Sequence, residues 1–230
     1  LLIKESDALN RMAYAKKSLY DYEEAETYFL ASLRIRQELG NQEAIARAQN
    51  ALADFYHQQA KIPTAMQYAL EAEKSIREES QSQTAADIQL NRGNIHISMG
   101  ELREAATHYE QALEIHIANE DRQGMLQAFS NLGNVYYTQD SFQQALVFWR
   151  LADSLIHPDE NPEFKILTMN NLALGMSNLG ESQKAKHIWR TAIEFGRSIG
   201  QLSLATRSYI NYTWEVFDEG FPSQAIDSLK

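Results

Sequence analysis

The stretch Ser130–Leu146, SNLGNVYYTQDSFQQAL, decides the fold. It places two asparagines, Asn131 and Asn134, one turn apart inside a segment that otherwise reads as helix. Asparagine is a poor residue for a helix interior, at roughly half a kcal/mol or more against alanine, because its amide competes for nearby backbone groups. The same arrangement returns in NRGNIHISMGELREAA from Asn91 and in NNLALGMSNLGESQKA from Asn170. A recurring oddity of this kind points to an internal repeat.

The step is 40 residues. Starting from Ala145, it reaches Ala25, Ala65, Ala105, Ala185 and Ala225, alanine each time and with no insertion or deletion. Ala13, Ala53, Gly93, Gly133, Ala173 and Thr213 form a second small column. Phe29, Ala69, Tyr109, Trp149, Trp189 and Leu229 form a mostly large one, and Tyr56, His96, Tyr136, Met176 and Val216 another. Gly100, Gly180 and Gly220 mark one turn, with Ala60 and Asp140 in the same place, and Gly40 and Gly200 mark a second. Each period therefore holds two helices of about four turns. Small residues let helices approach, large ones fill the space, and no single pair can bury its own apolar face, so neighbours must stack. The expectation is an all-α chain whose units run approximately 6–45, 46–85, 86–125, 126–165, 166–205 and 206–230, the last incomplete.

These columns resemble the tetratricopeptide repeat family. The small-then-bulky LGNVYY, the turn GELREAA and the aromatic-then-alanine HYEQAL carry the resemblance, from about residue 6 to residue 230. The forty-residue unit is similar to the long-helix variety of kinesin light chains, spindle-orientation adaptors and many bacterial signalling proteins. The resemblance implies a single right-handed superhelical solenoid of antiparallel helix pairs, with peptides bound along its concave inner surface. Lys16 and Ser182 depart from the pattern, where bulky and apolar residues are usual.

On that reading the stripe beside the core face of each first helix lines the groove. One column reads Arg11, Ala51, Asn91, Asn131, Asn171 and Asn211; a second reads Tyr14, Asp54, Asn94, Asn134, Leu174 and Trp214; a third reads Asn10, Asn50, Leu90, Ser130, Asn170 and Ile210. Each amide offers a donor and an acceptor, so such a ladder can hold the backbone of an extended peptide. Tyr137, His57, Ile97, Phe217, Arg47 and Arg207 stand beside it as specificity positions. The competing role for the asparagines is structural, bonding across to the next repeat. A lysine-and-arginine clamp for a terminal carboxylate, known among chaperone-binding relatives, is not expected, because lysine is missing beside the central asparagines.

The remaining features exclude more than they suggest. The 230 residues carry a formal net charge of -10 and no cysteine. Disulfides, thiolate zinc sites and cysteine nucleophiles are excluded, and the acidic balance opposes direct nucleic-acid binding. No run is long enough to span a bilayer. No signal peptide is visible, which leaves the compartment open with the cytoplasm as the default. The six histidines lack metal-site spacing and are expected on the surface, except His96, which falls in a core column. No catalytic, metal or cofactor site is expected, so the chain reads as non-enzymatic: an adaptor, or the sensory module of a larger signalling protein, with a protein or peptide partner. The alternative is self-association, with the groove filled by the chain's own flanking segment; monomer and homodimer are both compatible. Tyr212, Trp214, Phe217 and Phe221 have no following repeat to cover them, so the chain is expected to continue beyond Lys230.

Overall fold

A computed structural model describes residues 2–76, 81–157 and 159–218. Among the described residues there are eleven helices and no strand: α1 (Leu2–Ser18), α2 (Tyr22–Leu39), α3 (Gln42–Gln58), α4 (Ile62–Ser75), α5 (Gln83–Met99), α6 (Leu102–Ala118), α7 (Arg122–Thr138), α8 (Phe142–Leu155), α9 (Pro162–Asn178), α10 (Ser182–Ser198) and α11 (Leu202–Asp218). The first helices begin near 2, 42, 83, 122, 162 and 202, about four residues ahead of the unit boundaries taken from the columns. No described helix is long and apolar enough to cross a membrane. The chain forms two compact units, Leu1–Asp121 and Arg122–Lys230.

In unit 1, α1 packs on α2, α3 on α4 and α5 on α6, and α3 and α5 also touch. The small columns make this approach possible. Ala13, Ala25, Ala53, Ala65 and Ala105 are fully buried, and Phe29 and Tyr109 fill the space opposite them. Unit 2 repeats the plan with α7 on α8, α9 on α10, and α11 against both α9 and α10. Here Ala145, Ala173 and Ala185 are fully buried, with Trp149 and Trp189 as their large counterparts. Ala225 and Phe221 lie outside the described residues.

The turns also follow the columns. Gly40, Gly100, Gly180 and Gly200 have φ of 70° to 77°, the left-handed conformation that closes a helix. Tyr20, Ala60, Glu120 and Asp140 adopt the same conformation at equivalent places without glycine. Helix packing on both sides therefore holds the turn geometry even where the side chain opposes it.

A second recurring device is a pair of stacked rings between the two helices of a repeat. Tyr56 stacks on Tyr68 at 5.4 Å, His96 on His108 at 5.0 Å, and Tyr136 on Phe148 at 5.2 Å. His96 thus packs as its column predicts. His116 corrects the surface reading of the other histidines. It is completely buried, and its Nδ1 lies 2.9 Å from the Asp121 carboxylate. The physical reason is its column, which also holds the buried Arg36 and Ile156.

Candidate functional site

The first helices of each unit carry the asparagine stripe, and the structure ties most of its amides to neighbours through the oxygen or the nitrogen. In unit 1, the Tyr109 hydroxyl donates to Asn94 Oδ1 at 2.7 Å. In unit 2, Trp149 Nε1 donates to Asn134 Oδ1 at 3.2 Å. Each asparagine sits fifteen residues before its aromatic partner. The other repeats explain the rule. Where the large residue is Phe29, its partner position is Tyr14, which meets it edge-on at 5.1 Å. Where it is Ala69, nothing needs an acceptor and the position is Asp54. Where it is Trp189, the expected position is Leu174, and the indole donates instead to Asn170 Oδ1 at 3.1 Å. A buried indole or phenol without a partner is destabilising, and an asparagine one turn away supplies the acceptor.

Glycine accompanies this bonding. A Cβ on Gly93 would collide with the Tyr109 ring, and one on Gly133 with the Trp149 indole. The asparagine and the glycine before it therefore form one cradle for a ring that carries a polar atom.

The ladder between repeats is also bonded. Asn91 Nδ2 donates to Asn50 Oδ1 at 2.8 Å, and Asn211 Nδ2 to Asn170 Oδ1 at 2.9 Å. Asn171 Nδ2 reaches Asn134 Oδ1 at 3.4 Å. Asn50 and Asn170 are buried. At the equivalent of Asn91 one repeat earlier stands Ala51, and there the buried Asn10 Oδ1 has no partner among the described residues. The structural role of the asparagines is therefore present at Asn50, Asn91, Asn94, Asn134, Asn170 and Asn171.

What stays open is narrower than the ladder the sequence suggests. Asn131 is partly exposed and, among the described residues, makes no hydrogen bond. Asn134 is exposed, and its Nδ2 has no acceptor among the described residues. The same is true of Nδ2 of the partly exposed Asn94. Tyr137 accepts from Asn178 Nδ2 at 3.1 Å and lies against Trp149 and Phe142. His57 shares a hydrogen bond of 2.7 Å with Ser98. Arg47 is exposed and stands, in register, between Asp7 and Asp87 on the neighbouring first helices. Burial raises the Asp87 carboxyl, and Arg47 acts against that rise.

The two units differ on this face. In unit 1, Lys17 pairs with Asp54 at 3.1 Å and Arg36 with Asp7 at 3.1 Å. In unit 2 the links include amides and indoles together with the Ser177–Glu215 hydrogen bond and the Lys165–Asp153 ion pair. Its last first-helix, α11, turns Ile210, Trp214 and Phe217 outward, with exposures of 47, 63 and 51%. Sequence reasoning marked these positions but not the contrast. Tyr212, also expected to be uncovered, accepts from Arg190 at 2.6 Å and is only half-exposed. Among the described residues no three His, Asp or Glu side chains gather closely enough to hold a metal ion.

The tetratricopeptide repeat family matches residues 6–39 and 84–148. No curated protein sequence matches the chain. Among solved structures, BtubC (BKLC) from P. vanneervenii is similar with a TM-score of 0.80 at 21% identity, covering 86% of this chain and 82% of that one. A signal transduction ATPase with numerous domains, with a tetratricopeptide repeat sensor, from Pyrococcus horikoshii, has a TM-score of 0.82 at 18% identity. It aligns over 100% of this chain, which spans 36% of that protein. A putative kinesin light chain repeat protein from Podosopora anserina has a TM-score of 0.65 at 17% identity, covering 80% of this chain and 90% of that one. The repeat columns, the stacked helix pairs and the family matches agree: residues 6–39 and 84–148 are tetratricopeptide repeats, and the fold of the solved structures is shared.

Proposed function

We propose that the chain is a protein–protein interaction module that receives an extended segment of a partner on the exposed face of its first helices, as an adaptor or as the sensory part of a larger signalling protein. Tetratricopeptide repeats are generally non-catalytic interaction modules, which fits the repeats matched here. The similarity to a tetratricopeptide repeat sensor supports the sensory variant of the reading.

The observation that carries the proposal is Asn131 with its neighbour Asn134. The oxygen of Asn134 is committed to Trp149, yet its amide nitrogen has no acceptor among the described residues, and the partly exposed Asn131 makes no hydrogen bond among them. A helix does not gain from asparagine at such a place. Free amide N–H groups on a partly desolvated face suit the carbonyls of a peptide backbone. The test is a peptide array built from fragments of candidate partners and probed with the chain and with Asn131→Ala. Peptides retained by the chain should lose roughly tenfold or more in affinity with the variant, the cost of an unpaired buried group. Equal retention by both proteins would refute the assignment of this stripe.

A further inference from the structure

Unit 1 has a cleft that the asparagine stripe does not reach. It lies between the second helices α4 and α6, over α5, with a volume of about 630 Å³, a size common to small-molecule sites. No asparagine of the stripe lines it. Its floor is polar where other repeats are packed with apolar side chains. Arg92 stands in the column of Leu52, Leu132 and Leu172, all buried. His108 stands in the column of Tyr28, Tyr68 and Phe148. The Arg92 side chain is 16% exposed and donates from Nη1 to Glu73 at 2.6 Å. Its buried Nε has no partner among the described residues. A buried cation in the place of a leucine costs stability unless it is fully paired. Departures of this kind from a protein's own packing pattern concentrate at functional sites.

The network around Arg92 fixes what the cleft offers. Gln89 Nε2 donates to Glu73 at 3.1 Å, and Gln89 Oε1 accepts from His108 Nδ1 at 2.7 Å. Gln111 Oε1 accepts from the same nitrogen at 3.2 Å. His108 therefore carries its proton on Nδ1, and Nε2 is an acceptor. Burial pushes this imidazole down to about 4, so the ring is neutral at pH 7. Gln111 commits its oxygen to His108, which leaves its amide nitrogen to donate. Lys74 and Glu114 hold the same place in successive second helices and line opposite walls. No ion pair joins the two. Along α6 the cleft thus offers acceptor, donor and acceptor at His108, Gln111 and Glu114, with a cation across from them.

We propose that this cleft binds a free α-amino acid with a neutral amide side chain, its ammonium on Glu114, its carboxylate on Lys74 and Gln111, and its side-chain N–H on His108 Nε2. Six residues separate His108 from Glu114, about 9 Å along the helix. In glutamine, five bonds of about 1.5 Å separate the α-nitrogen from the amide nitrogen, about 6 Å when extended. Hydrogen bonds of about 3 Å at the two ends cover the remainder. Glutamate would set a carboxylate against the lone pair of Nε2, and lysine would set a second cation beside Arg92. The site is separate from the proposed peptide stripe and does not depend on it.

Calorimetric titration of the chain with L-glutamine should give a saturable heat, and the amino acid should raise the melting temperature. L-Glutamate, L-lysine and glutaramate, which lacks the ammonium, should each bind about tenfold or more weakly. Glu114→Gln and Lys74→Gln alter exposed side chains. Both should leave the melting temperature of the free chain unchanged and weaken glutamine about tenfold or more. Asn131→Ala should leave glutamine binding intact. No saturable heat with glutamine, equal binding of glutamate or lysine, or full affinity in both cleft variants would each overturn the proposal. So would loss of glutamine binding in Asn131→Ala, which would move the ligand to the stripe. If Asn131→Ala weakens peptides from the array while glutamine gives no heat, the interaction role stands and this site falls.

Discussion

Two ring stacks occupy equivalent places in the two units. In unit 1 the pair is His96 on His108; in unit 2 it is Tyr136 on Phe148. Both bridge the two helices of one repeat at almost the same ring separation, so the fold asks only for two flat side chains. The chemistry attached to them differs. His96 donates from Nδ1 to Glu101 at 2.6 Å, and His108 donates from Nδ1 to Gln89 at 2.7 Å, beside the Arg92–Glu73 ion pair. The unit 2 pair touches apolar neighbours and carries no such network. One repeat geometry therefore supports a stack wired to charged and amide groups in unit 1 and an apolar stack in unit 2.

The largest effect should come from the aromatic that unit 2 relies on. Trp149→Ala removes a side chain that is 2% exposed and should lower stability by about 3–5 kcal/mol. The indole is held at Asn134, lies against Tyr137, and with Leu146 leaves little room for a Cβ on Gly175 of the neighbouring repeat. Thermal or urea denaturation measures the loss. A loss below 1 kcal/mol would mean that unit 2 does not depend on its indoles.

Next in size is the amide beneath the second indole. Asn170 is 1% exposed and its Oδ1 serves both Trp189 and Asn211. Asn170→Ala orphans two donors and should cost about 1–3 kcal/mol. Asn134→Ala should cost less, because Asn134 is exposed and water can reach its side of the Trp149 nitrogen. Asn170 Nδ2 itself has no partner among the described residues, so Asn170 is an imperfect partner. Urea titrations of the two variants give the ranking. The reverse order would mean that burial does not set the value of these bonds.

This ranking marks the boundary of what was legible in the sequence. The period follows from Ala25, Ala65, Ala105, Ala145 and Ala185, because close helix approach tolerates nothing larger and the constraint repeats at every unit. The placement of the turns was readable for the same reason. The bonding of the asparagines was not read, although a signal existed. Asn94 accompanies Tyr109 and Asn134 accompanies Trp149, whereas Tyr14 accompanies Phe29 and Asp54 accompanies Ala69. Asparagine appears with the rings that carry a donor. The substitution at Leu174, with Asn170 taking over, breaks that pairing and depends on which way the Trp189 ring turns, a choice made by packing. The burial of His116 was equally hidden, because histidine suits either a surface or a satisfied interior.

A smaller effect separates the units by pH. Burial, with Arg92 and His96 adding to it and Glu73 opposing, pushes the His108 imidazole down to about 4. In the unfolded chain it titrates near 6.5. Between those values the unfolded chain binds more protons, so the contribution is complete above about pH 6.5 and is lost as the pH falls toward 4. Solvent screening at a half-buried ring limits this to roughly 1 kcal/mol. His96→Tyr with His108→Phe copies the unit 2 pair into unit 1. Melting temperatures at pH 7, 5.5 and 4.5 should fall less steeply for the double variant. Identical slopes would show that the histidine stack is not a source of acid sensitivity.

The smallest effect on stability belongs to Asn131. Neighbouring amides are tied to rings or to one another, and their removal leaves a buried donor or acceptor behind. Asn131 leaves nothing behind, because no described residue bonds to it, and it sits in the middle of α7 (Arg122–Thr138). Asn131→Ala should therefore raise stability by a few tenths of a kcal/mol, the difference in helix propensity. Asn134→Ala, one turn away, should lower it. Opposite signs for two asparagines on one exposed stripe would separate the residue kept for packing from the one kept for a partner. Urea denaturation of both variants decides the matter. If Asn131→Ala is destabilised like Asn134→Ala, the amide holds the solenoid together and the case for a peptide along this stripe loses its carrying observation.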